Sequence, residues 1–463
     1  MQPLSPAPAD GLPPAERRSA LATMAIAVSM SVLDSAIANI ALPTIAHELG
    51  TTPAASIWVV NAYQLAVTVA LLPLASLGDI IGYRRVYWVG LAVFTVASLG
   101  CALSHSLPML VFSRVVQGLG GAGIMSVNTA LIRFIFPRAM LGRAVGFNAF
   151  VVATSSATGP TVAAAILSVA SWHWLFAINV PLGLIALCFA ARALPATPRS
   201  GHRFDFAGAA LNAVTLGLLM IAVEQIGRRA GTTWAIAELA VAVLIGAAFI
   251  RREHAMSAPM LPVDLFRRPV FALSVATSIC SFTAQTLAYV SLPFLFEDVS
   301  GKSQIATGLL ITPWPAIIVF VAPVAGRLSD RSSPGLLGAM GLAVMTVGLL
   351  LLLTMPAQTG WAEVAWRMAV CGFGFGFFQS PNNRLLIGSA PPERSGGASG
   401  MLSTARLLGQ TNGSALVALT FGLSGAAGGG IAGGVRLALA LAVAAAGAAT
   451  LISLVRLRQL RVA

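Results

Sequence analysis

Charge is what this chain has least of: Asp, Glu, Lys and Arg make up 9% of its 463 residues. Acids are scarcer still, 15 against 28 Lys and Arg. So small a charged fraction, beside 57% hydrophobic residues and a mean hydropathy of +0.85, excludes a soluble protein of this length. The four cysteines, Cys101, Cys188, Cys280 and Cys371, stand at no metal-ligand spacing and read as small packing residues. No Walker loop, zinc motif or nucleophile elbow occurs, so ATP-driven pumping and membrane enzymology have no residues to carry them. Neither an enzymatic activity nor a cofactor is expected. A cleavable signal peptide is not expected either, because the first apolar run is too long and lacks a cleavage site.

What the chain does have is long apolar runs. A helix needs about 20 apolar residues to cross the hydrocarbon core. Cutting at charged, Pro and Gly clusters gives fourteen such segments: 20–42, 57–77, 86–104, 107–131, 143–168, 173–194, 206–224, 234–250, 270–296, 305–325, 335–355, 365–387, 397–420 and 436–455. Because the bilayer offers the backbone no hydrogen-bond partners, repeated spans of this length predict an all-α integral membrane bundle. The Pro-rich start predicts a disordered tail over 1–19, and residues 456–463 read as a second tail.

The net charge of +13 is a topology signal rather than a nucleic-acid signal. With the N-terminus placed in the cytoplasm, 21 of the 28 basic residues fall on that side, five on the other, and two, Arg114 and Arg406, inside helices. This bias predicts an even helix count with both termini cytoplasmic, lipid as the surroundings and no nucleic-acid partner.

The sequence also repeats itself. The loop PRAMLGRAVG (137–146) recurs at an offset of 254 as PPERSGGASG (391–400), and GLGGAGIMSVNTALI (118–132) lies over GFGFGFFQSPNNRLL (372–386). LASLGDIIGYRR (74–85) recurs at 251 as AGRLSDRSSPG (325–335), placing Asp79 over Asp330. These matches predict two parallel six-helix bundles, 20–194 and 270–455, with two helices and their linkers inserted over 195–269. Duplicated bundles around a central site are a transporter arrangement, in which one half rocks against the other.

Two intramembrane charges stand out. A lone carboxylate such as Asp34 in the first span costs roughly 2.5–3.5 kcal/mol or more, so such groups are usually functional. Asp34 lies eight residues before the outer end of its helix at Leu42, and Arg114 seven residues after the start of helix 4 at Leu107. At 1.5 Å per residue both lie roughly 10–12 Å below the outer surface, level with one another. They can pair or exchange partners. Desolvation and a nearby cation act in opposite directions on a carboxylate, so an environment that alternates between them makes a proton carrier. A static ion pair holding helices 1 and 4 together is the alternative. Polar groups expected around a cavity are Asn61 and Gln64 on helix 2, Gln117 on helix 4, Gln285 on helix 9, and Gln379, Asn382 and Asn383 on helix 12; Arg406 on helix 13, with Gln410 one turn further, either contacts substrate or the gate or bonds to backbone carbonyls of neighbouring helices. Tyr63, Tyr289 and Trp314, with Trp58, Phe282, Phe375 and Phe378, are the aromatic candidates.

Several stretches carry a family likeness: LDSAIANIALP (33–43), SRVVQGLGGAG (113–123), SSATGPTVAAA (155–165), WHWLFAINVPLG (172–183), FQSPNNRLLIGSAPPERSGGASG (378–400) and ARLLGQTNGSAL (405–416). Together and in this order they resemble the fourteen-helix drug:proton antiporters of the major facilitator superfamily. The resemblance implies a proton-coupled, multidrug-type exporter of small amphipathic compounds in the bacterial inner membrane, working as a monomer. Proton coupling would fall on Asp34 and Arg114. Gly159 and Pro160 would kink helix 5, and Asp79 with Arg84 and Arg85, like Asp330 with Arg327 and Arg331, would latch neighbouring helices in one state. His173, Ala75 and Ile80 depart from the family pattern. So do the missing acids of helices 2, 10 and 13, which weaken the expectation of a dicationic substrate. A dedicated exporter of one metabolite, and a non-transporting membrane sensor, remain open alternatives.

Overall fold

The computed structural model describes residues 11–137, 140–197, 199, 204–227, 232–256, 261–329, 331–356, 359–390 and 395–462. Among them the chain forms fourteen long helical segments. These are α1 Pro14–Glu48, α2 Pro53–Ile81, α3 Tyr83–Ala102, α4 Leu107–Ile135, α5 Leu141–Leu167, α6 His173–Ala193 and α7 Phe206–Gly227. They continue as α8 Thr232–Ala255, α9 Pro269–Val299, α10 Gln304–Leu328, α11 Pro334–Leu353, α12 Trp361–Gly388, α13 Ser395–Ala426 and α14 Gly430–Val462. The described residues contain ten helices long and apolar enough to cross a membrane. α12 and α13 fall outside that set because they carry polar residues along their length, among them Gln379, Asn382, Asn383, Arg406 and Gln410.

Both expected tails need correction. α1 starts at Pro14, a residue whose missing N–H costs nothing in a first turn, so the disordered tail expected over 1–19 is helical from that point on. α14 runs to Val462 and buries Arg456 completely, so 456–463 is not the tail expected.

Helix prolines at Pro43, Pro73, Pro160, Pro293 and Pro381 interrupt the backbone ladder, which membrane bundles tolerate where neighbouring helices re-satisfy the freed groups. α9 ends in a π-helical turn over Leu295–Val299, two residues past Pro293.

The helix pairings come in matched sets. α1 packs on α5 and α6, and α4 on α2 and α3; α9 packs on α13 and α14, and α12 on α10 and α11. Glycine makes the tightest of these contacts possible. A Cβ on Gly118 would lie 2.6 Å from the Tyr63 carbonyl oxygen, and one on Gly372 would lie 2.2 Å from that of Trp314. α7 and α8 pack on each other, with α7 also lying along α2 and α13.

Candidate functional site

The ion pair expected from depth alone is formed. Asp34 and Arg114 join α1 to α4 with both side chains fully shielded from solvent. Arg114 and Gln117, three residues apart, project from one face of α4. The Asp34 carboxylate accepts from the Arg114 guanidinium on Oδ2, and on Oδ1 from Gln117 Nε2 at 2.8 Å and Asn179 Nδ2 of α6 at 2.9 Å. Arg114 also donates through Nε to the Val59 carbonyl at 2.9 Å, and its guanidinium carbon stands 4.2 Å from the Tyr63 ring centroid and 5.5 Å from that of Phe176. A buried carboxylate is tolerable only when its lone pairs are met, and here two amides and a guanidinium meet them. Asn179 went unread in the sequence, although the helix-6 motif contains it.

Beside this cluster lies a cavity of about 450 Å³. Tyr63 forms part of its wall and separates it from Arg114; its hydroxyl is 3.0 Å from the Ser31 hydroxyl, also on the wall. Of the expected cavity residues, Tyr63, Gln64, Gln285, Tyr289, Gln379, Asn383 and Arg406 line it, as do Gln410, Phe282 and Phe375. Four do not. Gln117 is committed to Asp34 and to the Ser98 hydroxyl at 2.9 Å. Asn61 is buried away from the cavity. Trp314 sits behind Tyr289, ring centroids 5.0 Å apart. Asn382 turns outward to α9 and α14, where it binds the Ser278 hydroxyl and Arg456. The cavity also has polar groups that were not anticipated: Ser31, Ser35 and Asn39, spaced four apart along α1, and Asn148 and Ser156 on α5.

At one end the two sets of helices are tied together. His47 Nε2 of α1 lies 2.8 Å from Asp298 Oδ1 of α9, and Gln304 Nε2 of α10 donates to the Thr44 hydroxyl at 2.7 Å. The Thr161 and Thr312 hydroxyls meet at 2.9 Å between α5 and α10. Nearer the middle, Thr68 and Thr411 pair at 3.0 Å, and Ser414 donates to Gln64 Oε1 at 3.3 Å. The opposite end is where α1 begins and α14 finishes.

Gly159 and Pro160 occupy a junction. A Cβ on Gly159 would lie 2.5 Å from that of Ala36 on α1, while the Pro160 carbonyl lies against Gly308 of α10 and its ring lines the cavity. The latch residues are arranged differently from expectation. Gly82, at φ +99°, ends α2 and turns the chain. Asp79 then accepts from the Tyr83 hydroxyl, and Arg84 donates to the Ala191 carbonyl of α6, so Asp79 is not paired with Arg84 or Arg85 here. Arg327 and Arg331 are exposed, Arg384 donates to the Ser329 carbonyl at 2.6 Å, and Asp330 lies outside the described residues. Arg456 is a further buried cation, held by Asn382, by Ser274 Oγ at 2.8 Å and by Ser453 Oγ at 3.0 Å.

Sequence comparison places these features in a family. The Major Facilitator Superfamily profile matches residues 24–414. The chain is 57% identical over 413 residues to the Uncharacterized transporter YebQ of Escherichia coli (strain K12), covering 89% of this chain and 90% of that protein. It is 31% identical to the Tetracenomycin C resistance and export protein of Streptomyces glaucescens, covering 86% of this chain and 74% of that one. Among solved structures, a bacterial homologue of the human lysosomal transporter Spinster, in an inward-facing and unoccupied conformation, superposes with a TM-score of 0.68 at 14% identity, over 97% of this chain and 98% of that one. The chain belongs to the major facilitator superfamily and is a multi-pass membrane transporter, not an enzyme.

Proposed function

We propose that this transporter is a proton-coupled antiporter that exports small amphipathic compounds from a bacterial cytoplasm across the inner membrane by alternating access. The observation that carries the reading is a buried carboxylate, Asp34, held by three donors one aromatic ring away from a drug-sized cavity. In this reading the cavity faces the cytoplasm, the side of both termini, and the His47–Asp298 and Thr44–Gln304 contacts close the periplasmic end. As the halves rock, withdrawal of α13 from Tyr63 loosens the ring over Arg114 and exposes Asp34 to periplasmic protons, and its protonation goes with substrate release. Protonation then releases Arg114 and resets the cycle.

Two six-helix repeats, α1–α6 and α9–α14 with α7 and α8 inserted, are the moving parts. The matched pairings and the equivalent Gly118–Tyr63 and Gly372–Trp314 contacts support that division. Gly159 and Pro160, which touch α1 on one side and α10 on the other, are its hinge. Asp79, Arg84, Arg85, Arg327, Arg331 and Asp330 act as latches in the opposite state, in keeping with Asp79 having no arginine partner here among the described residues. The chain works as a monomer.

A second reading, a dedicated exporter of one natural product, is favoured by the name of the tetracenomycin C relative and by the absence of acids on the cavity wall among the described residues. The test is uptake of fluorescent dyes into everted membrane vesicles under an imposed pH gradient. Accumulation with an acidic lumen that nigericin abolishes is expected. Uptake indifferent to the gradient would rule out proton coupling.

A further inference from the structure

The cavity wall carries a single formal charge among the described residues, Arg406 of α13, and no carboxylate. The described residues give Arg406 neither an ion pair nor a hydrogen bond, and its Nε is buried without a partner. Asp34, the nearest intramembrane acid, is already committed to Arg114, Gln117 and Asn179, with Tyr63 between it and the cavity. A half-buried guanidinium whose Nε is shielded without a partner, on a wall that supplies no counter-charge, is stabilised by an anion that reaches it through the cavity. That makes the cavity an anion acceptor, and a second positive charge brought into it would be repelled.

The rest of the wall selects the shape of the anion's carrier. Phe282 and Phe375 meet edge to face at 5.2 Å, Tyr289 continues that wall, and Tyr63 stands on the other side. Gln64, Gln285, Gln379, Asn383 and Gln410 supply amide donors and acceptors around them. Aromatic faces with a few amides hold a flat ring system, and the planar fork of a guanidinium holds a carboxylate or sulfonate through two parallel bonds.

We propose that the substrate is an aromatic organic anion, with Arg406 as the anchor for its acidic group. This assignment rests on the transport reading of the cavity but not on proton coupling. The test uses two dyes with one xanthene skeleton, anionic fluorescein and cationic rhodamine 123, bound to the purified protein in nanodiscs at fixed pH and read by fluorescence polarisation. Fluorescein binding at least tenfold tighter than rhodamine 123 is expected. In Arg406→Gln the fluorescein affinity falls at least tenfold while rhodamine 123 is unaffected or gains, and Arg406→Lys restores part of the fluorescein affinity. A cooperative melt of each variant establishes that it is folded. Preference for rhodamine 123, equal weakening of both dyes by Arg406→Gln, or binding of neither dye by folded protein would overturn the proposal. Gradient-driven uptake of the dyes is measured separately. Fluorescein binding without proton-driven uptake leaves the anion site standing and removes the antiport reading.

Discussion

Removing the charge of Asp34 while keeping its shape, with Asp34→Asn, isolates what the buried pair does for stability. The carboxylate takes a guanidinium donor on Oδ2 and two amide donors on Oδ1. Asparagine offers one oxygen and one NH₂ group in their place. Whichever way it is turned, at least one of the three donors faces another donor, and Arg114 loses its counter-ion at a site with no solvent exposure. Breaking a buried pair from one side costs about 3–5 kcal/mol, most of it the uncompensated charge left behind. Removing both charges in Asp34→Asn/Arg114→Gln should cost clearly less than the sum of the single variants, because no orphan charge remains; the interaction energy of such contacting pairs is about 0.5–3 kcal/mol. The assay is reversible unfolding in mixed SDS–detergent micelles, followed by circular dichroism, for wild type, both single variants and the double. An Asp34→Asn penalty below about 1 kcal/mol, or strict additivity, would mean that the pair is solvated or unmade and would refute the argument.

Three further outcomes follow from the packing. Gly372→Ala drives a methyl group to 2.2 Å from the Trp314 carbonyl oxygen, so it should cost about 1–3 kcal/mol in the same unfolding assay, as should its counterpart Gly118→Ala. His47→Cys with Asp298→Cys places two thiols at the closed end, where oxidation should lock the halves, stop transport and be reversed by reductant; full transport by the cross-linked protein would contradict the gate. On the α7–α8 side, Arg252 holds the Asp205 carboxyl below its ordinary range through a forked contact, at 2.8 Å from Nη2 and 3.0 Å from Nε. A depressed folded value means that the contribution is present above the unfolded value of about 3.9 and fades as pH falls through the folded one. Asp205→Asn should therefore melt slightly below wild type at pH 7, and the difference should begin to shrink only below about pH 4 and close as pH falls through the folded value.

The parts of the site that were legible in the sequence are those fixed by one helix at a time. Asp34 and Arg114 could be paired because rise per residue sets depth, and both helices have readable outer ends. Gln379 and Asn383, four apart, share the cavity face of α12, but Asn382 is turned about 100° away from Asn383 and enters the contact with α9 and α14. Polarity alone does not tell a cavity group from one that satisfies a buried neighbour, and this also moved Gln117 to the carboxylate cluster. Asn179 stayed hidden because its partner lies 145 residues away in the chain, on α1, and only the packing of α6 against α1 brings the two together. Ser31, Ser35 and Asn39 did carry a signal, a polar stripe at helical spacing on an apolar helix. The closing segment RLRQLRV is rich in good helix formers, so nothing local marked the end of α14, and Arg456 passed for a surface charge. Asp79 and Arg84 are neighbours in sequence, yet the turn at Gly82 sends Arg84 toward α6.

The central claim is that Asp34 carries the transported proton, and proton release on substrate binding tests it without any transport assay. Purified protein in weakly buffered detergent solution, with a pH-indicator dye, is mixed with a compound that it binds. Wild type is expected to give up protons on binding, Asp34→Asn to bind the same compound without releasing any, and Arg406→Gln, once saturated, still to release them. Equal proton release by wild type and Asp34→Asn would contradict it.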